Sequence, residues 1–324
     1  MQHHFVIGRS THPGLKRGKG PNQDSIGVAE RSGGEAAYPM LILADGMGGY
    51  YGGEVASRMA VDTVKEIFSA SDPDKTGLRA VLSDCIEGAH QKIGENAAAD
   101  DLLSCMGSTI VLAVPTEQSV WIGNVGDSRA YLITAQGKII QISYDHSLVM
   151  EQFRAGLITK EEADHHPRKN VLTMSLSGQR GKVDPFITEV PWGPGDSVLI
   201  CSDGLWGPVP EDQIRSTVLA MDPQDAADKL VELANENGGP DNISVLIARN
   251  GEKVLPSDDP QKGERISDPE TDTAEQDPQR WLKIILMVVL VLLVLGLILY
   301  FLKNKPDAAK ALIEDRARLF AGRV

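Results

Sequence analysis

Over the first 250 positions the apolar residues follow two periods that alternate in blocks. Runs that are largely apolar or β-branched predict strands at 4–8, 25–29, 38–43, 108–114, 119–124, 128–134, 138–142, 196–201 and 243–248. Between them the period lengthens. Val55, Met59, Thr63, Val64, Ile67 and Phe68 recur at helical spacing, as do Leu78, Val81, Leu82, Cys85, Ile86, Ala89 and Ile93, so two amphipathic helices bury their stripes in a core. Further helical patterns cover 148–155, 211–220 and 223–237. The four runs from 108 to 142, separated by Pro-Thr-Glu, Gly-Asp and Ala-Gln-Gly turns, read as one antiparallel meander.

After residue 250 the pattern changes twice. Residues 256–279 are rich in Asp, Glu, Pro, Ser and Thr and have almost nothing to bury, as in a disordered acidic linker. Residues 284–302 are then apolar apart from Gly296. At about 1.5 Å per residue this run spans roughly 28 Å, enough for one transmembrane helix. Trp281 and Tyr300 suit the aromatic belt, and Lys283 and Lys303 can snorkel. The expected organisation is a domain at 1–250, a linker at 251–280, a membrane span at 281–303 and a short tail at 304–324. Basic residues after the span (Lys303, Lys305, Lys310, Arg316, Arg318) favour a cytoplasmic tail. The start MQHHFVIGRS has no secretory character, and a large domain without an export signal outweighs that bias. The expectation is therefore a single-pass protein of the inner or plasma membrane with its large domain cytoplasmic.

Composition narrows the function. With 42% hydrophobic and 24% charged residues the chain is ordinary for a globular protein. A formal net charge of −13 argues against a nucleic-acid surface. Cys85, Cys105 and Cys201 lack CxxC spacing and sit in apolar contexts, so they read as small buried hydrophobes. The adjacent His165 and His166 read as surface loop, because neighbouring residues seldom point the same way.

The chemistry concentrates in carboxylates. In LADGMGGYYGGEVAS, Leu43 to Ser57, an apolar strand stops at Asp45 and is followed by glycines 46, 48, 49, 52 and 53. Taken alone, this is equally a Gly-rich turn with Asp45 as a helix cap or a cradle for a metal ion. Asp127 in GNVGDSRAY, Asp203 in CSDGLW and Asp241 in GGPDN also stand at strand ends or tight turns, three of the four beside a glycine. Together they form a constellation. Carboxylates without His or Cys select hard cations, Mg²⁺ or Mn²⁺, and several converging carboxylates need about two such ions for charge balance. An ion pair of this kind activates a water for in-line attack on phosphorus, and the basic first loop could neutralise phosphoryl oxygens.

GPNQDS, LADGMGG, GNVGDSRAY, DHSLV, HPRKNVLT, CSDGLW and GGPDNISV, in this order over about residues 5 to 248, resemble the motifs of the metal-dependent Ser/Thr protein phosphatases of the PP2C (PPM) type, bacterial branch. The resemblance implies an α+β fold, a four-layer α-β-β-α sandwich of two antiparallel sheets flanked by helices, with a dimetal centre at one end. It implies that Asp45 bridges two ions, that the Gly46 carbonyl contacts one, and that Asp203 and Asp241 complete the pair. Asp24 corresponds to the acidic residue that orients metal-bound water, and Asp127 to a ligand of a third, weaker ion. Residues 145–169 correspond to a flap over the substrate. In the first motif the usual Arg is replaced by Lys19, with Arg17 nearby, so the phosphate contact lies between these two. Met47 replaces the His that animal members offer as general acid, which leaves leaving-group protonation to metal-bound water or another group. Gly207 replaces an acidic residue that helps the third site. The implied activity is hydrolysis of phosphoSer and phosphoThr in proteins, the substrates of a Ser/Thr kinase. The rival readings are a catalytically silent phosphoprotein-binding module and a hydrolase of small phosphoesters.

Overall fold

The computed structural model describes residues 5–16, 20–30, 38–177 and 182–251. The apolar run at 284–302, the linker, the tail, Arg17 and Lys19 lie outside the described residues. Among the described residues no helix is long and apolar enough to cross a membrane.

Among the described residues eleven strands form two antiparallel sheets. One has the order β1 (Phe5–His12), β11 (Ile243–Asn250), β10 (Ser197–Cys201), β7 (Arg129–Ile133), β8 (Ile139–Gln141). The other has the order β2 (Asp24–Glu30), β3 (Pro39–Met47), β5 (Ile110–Pro115), β6 (Ser119–Val125), β9 (Phe186–Pro191), with the two-residue β4 (Gly107–Ser108) on the end of β3. Helices α1 (Gly49–Ala70) and α3 (Leu78–Ala99) cover the second sheet, joined through the short α2 (Pro73–Thr76). Helices α7 (Glu211–Ala220) and α8 (Pro223–Glu236) cover the first. This is the expected α-β-β-α layering.

Strand periodicity explains why the central runs are continuously apolar. On β3, Met40, Ile42 and Ala44 point into the core under α1 and α3, whereas Leu41 and Leu43 point into the core between the sheets. On β10, Val198 and Ile200 face the other sheet, and Leu199 and Cys201 face α7 and α8. Every residue of β5, β7, β10 and β11 is buried. Burial on both faces removes the polar alternation of a one-sided sheet.

The structure corrects several expectations. The runs from 108 to 142 are not one meander: β5 pairs with β6 in one sheet, β7 pairs with β8 in the other, and the chain crosses between sheets at Gly126–Ser128. The edge strand β9 was not anticipated, because its half-exposed FITEVP sequence lacks a buried run. Cys105 is exposed, while Cys85 and Cys201 are buried as expected. Residues 145–169 hold a second short helix, α5 (Lys160–Asp164), closed by a capping box between Thr159 and Glu162, after α4 (Leu148–Arg154). His165 is exposed, and its Nδ1 lies 2.9 Å from the Glu161 carbonyl oxygen, as expected of a surface loop.

Candidate metal centre

The antiparallel registers bring the relevant strand ends to one edge of the sandwich. Asp24, the first residue of β2, is the direct partner of Asp45 near the end of β3. In the other sheet Cys201 pairs with both Arg129 and Val245, which gathers the end of β10, the start of β7 and the start of β11. Asp203, Asp127 and Asp241 flank those three ends. Asp203 opens a one-turn helix, α6 (Asp203–Trp206), rather than ending a strand. Asp45, Gly46, Asp127, Asp203 and Asp241 all line one cleft of about 1020 Å³.

Close backbone approach makes this convergence possible. A Cβ on Gly46 would lie 2.0 Å from the Gly53 carbonyl oxygen, and one on Gly204 would lie 2.0 Å from that of Asn242. Any side chain there would force α1 off β3, or α6 off β11. Asp45 is then fixed through its main chain: its N–H donates to Thr109 Oγ1 at 3.0 Å, and its carbonyl accepts from Thr109 N–H at 2.8 Å and from the Ser108 hydroxyl at 3.0 Å. Thr109 also shares a 2.8 Å hydroxyl contact with Ser128, across the sheet-to-sheet step. Asn242 ties the first loop to the last strand, accepting from Gln23 N–H and donating to the Pro13 carbonyl. None of Thr109, Ser108 or Asn242 was singled out from the sequence; Asn242 follows the motif residue Asp241, and Ser108 and Thr109 carry no signal beyond their strand.

The electrostatics are those of crowded acids. Burial is the main reason the Asp45 carboxyl is held well above the usual carboxylate range, and Asp24, Asp203, Asp127 and Asp241 add to it. Burial likewise pushes Asp24 up to about 7, with hydrogen bonds from Ser244 and Ser202 opposing it and Asp203 and Asp241 reinforcing it. Asp127 is raised to about 7 by burial, then by Asp203 and Asp145, against its own backbone hydrogen bond and Arg129. Burial lowers the His146 pKa, and its Nδ1 accepts the Gly126 N–H at 3.2 Å, so this ring serves the sheet-to-sheet step as a neutral acceptor.

The donor set fits hard divalent cations. It consists of carboxylates and a backbone carbonyl, and the buried Asp24 Oδ1 has no hydrogen-bond partner, while Oδ2 accepts the Ser202 hydroxyl at 2.8 Å. Among the described residues no three His, Cys, Asp or Glu side chains form a ready-made cage around a single ion. Mg²⁺-type ions, which keep several waters and take one or two carboxylates each, need no such cage. Met47 contributes no titratable group.

The fold and the cleft thus define a class: a sandwich whose sheet ends present an acidic, oxygen-only centre. The sequence profile of the family Protein phosphatase 2C matches residues 15–236, and the chain belongs to that family. It is 39% identical over 230 residues to the serine/threonine phosphatase stp of Listeria monocytogenes, covering 70% of this chain and 89% of that one. A solved structure of the S. agalactiae serine/threonine phosphatase superposes with a TM-score of 0.70 at 33% identity, covering 76% of this chain and all of that one. The PstP catalytic domain, solved in complex with two manganese ions, gives a TM-score of 0.65 at 29% identity, covering 77% of this chain and 100% of that one. The chain is a protein serine/threonine phosphatase of a metal-dependent family.

Proposed function

We propose that the enzyme is a membrane-tethered, Mn²⁺- or Mg²⁺-dependent phosphatase of phosphorylated proteins. In this reading Asp45, Gly46, Asp203 and Asp241 hold two ions, Asp127 holds a third more weakly, and Asp24 orients the attacking water. The observation that supports it is the convergence of Asp45, Asp127, Asp203 and Asp241 at one cleft, with Asp24 paired to Asp45 across the strands and one Asp24 oxygen unengaged.

When bound, the ions supply Lewis acidity, making a water nucleophilic near neutral pH and offsetting charge on phosphoryl oxygens. The chain supplies position. Thr109 and Ser108 keep the Asp45 backbone from shifting, so its carboxylate is presented in one place. Asp24 spends Oδ2 on Ser202 and keeps Oδ1 to accept a water proton. Lys19 or Arg17 would neutralise the phosphate, and the flap at 145–169 would shape access. The phosphatase domain occupies residues 1–250, and the acidic linker and the span at 281–303 hold it to the cytoplasmic side of the inner or plasma membrane.

The test is hydrolysis of a phosphopeptide by residues 1–250 with Mn²⁺ and with chelator. Activity that depends on Mn²⁺ is expected; equal rates in both conditions would refute the metal reading. Faster turnover of small phosphoesters than of phosphoprotein would favour the rival substrate class. Fractionation of cells expressing the full chain and a chain ending at 280 tests the tether, with the full chain alone expected in membranes.

A further inference from the structure

A buried network behind the cleft links the flap to the acidic centre. Arg129 donates from Nε and Nη2 to Asp145 Oδ2 at 3.0 and 2.8 Å, and from Nη1 to the Tyr131 hydroxyl at 3.0 Å. Asp145, the first residue of the 145–169 segment, is only 1% exposed. Its other oxygen accepts from Gln141 Nε2 at 2.6 Å, and its carbonyl accepts from Arg154 of α4 at 3.2 Å. The Arg129 guanidinium lies 3.7 Å from the centre of the Trp206 ring. That indole donates its Nε1–H to the Asp127 carbonyl at 3.1 Å. Trp206 also closes α6, whose first residue is Asp203.

One side chain therefore touches the main chain of Asp127, stacks on the cation that clamps the flap base, and belongs to the same helical turn as Asp203. We propose that Trp206 is a positioning residue, whose indole N–H fixes Asp127 for ion binding and whose ring couples that position to the flap through Arg129. This rests on the reading of Asp127 as an ion ligand. Asp127 follows Gly126, whose φ is +101°, at the step between sheets, so its own ladder does not restrain it. The donor from Trp206 supplies that restraint. A space-filling role makes a different prediction, because Phe fills most of the same volume and keeps the stacked face.

The experiment is Mn²⁺ titration calorimetry on the full-length chain in detergent, comparing wild type with Trp206→Phe and Asp127→Asn, with the melting temperature recorded for each. Loss of one hydrogen bond predicts that Trp206→Phe weakens the weakest Mn²⁺ site about five-fold, with the tighter sites unchanged. The same variant is expected to raise KM for a phosphoprotein more than it lowers kcat. If Phe proves too disruptive to fold, benzothienylalanine at position 206, which keeps the bicyclic shape and lacks the N–H, is expected to give the same loss. An unchanged weakest site in these variants, where Asp127→Asn abolishes it, overturns the role of Trp206. If Asp127→Asn leaves every site intact, the assignment of Asp127 fails and the proposal falls with it.

Discussion

Replacing Asp24 by Asn tests the electrostatic account of the centre independently of catalysis. In the metal-free domain burial and neighbouring acids raise the Asp24 carboxyl from 3.8 to about 7. The folded state therefore holds this proton more tightly than the unfolded state. As pH rises from about 4 to 7 the unfolded chain ionises first, so stability falls across that window and levels off above it. A shift of roughly three units corresponds to on the order of 4 kcal/mol at pH 8. Asn cannot ionise, still accepts from Ser202, and removes the largest single charge acting on Asp45. The assay is urea unfolding of the 1–256 fragment in chelator at pH 5 and pH 8. Asp24→Asn is expected to gain stability relative to wild type between the two pH values by roughly 3 kcal/mol, the part of the shift that lies above pH 5. Added Mn²⁺ should restore wild type far more than the variant at pH 8. Parallel pH dependence of the two proteins in chelator would refute the reasoning.

Three further outcomes follow from the geometry. Asp45→Asn is expected to abolish Mn²⁺-dependent hydrolysis while leaving the circular dichroism spectrum unchanged, and retention of more than a tenth of the rate would rule out a bridging role. Thr109→Val should lower stability by about 1–3 kcal/mol in denaturant unfolding, because it strands the buried Asp45 amide and the Ser128 hydroxyl. Proteolysis near Pro256 should release a soluble domain with full activity on phosphopeptide; an inactive product would mean that attachment does more than tether.

Much of the layering was legible because strands buried on both faces leave continuous apolar runs, and because α1, α3, α7 and α8 carry clear helical stripes. The candidate acids were legible because Asp45, Asp127 and Asp203 each stand beside a glycine at a break in such a run. Which sheet a strand joins was not. Periodicity reports burial and not partner, so the Gly126–Ser128 step between sheets looked like an ordinary hairpin turn. Strand β9 was missed because an edge strand needs only one apolar face. Thr109 and Trp206 escaped notice because their roles depend on contacts with Asp45 and Asp127 that are distant in sequence. The burial of Asp145 was not legible, because nothing in the sequence names its buried partner, Arg129.

The register of Asp24 against Asp45, and the gathering of β7, β10 and β11 at the same edge, also govern when the enzyme can exist during its own synthesis. Asp24 leaves the ribosome early, whereas Asp241 and the strand that holds it emerge near the end of the domain. The nascent chain can pair β2 with β3 and form α1 well before then, but it lacks the last acid and the strand that joins β1 to β10 in the first sheet. A stalled or truncated product is therefore expected to carry no dephosphorylating activity. The topology makes completion of the domain a condition for assembling the acidic centre.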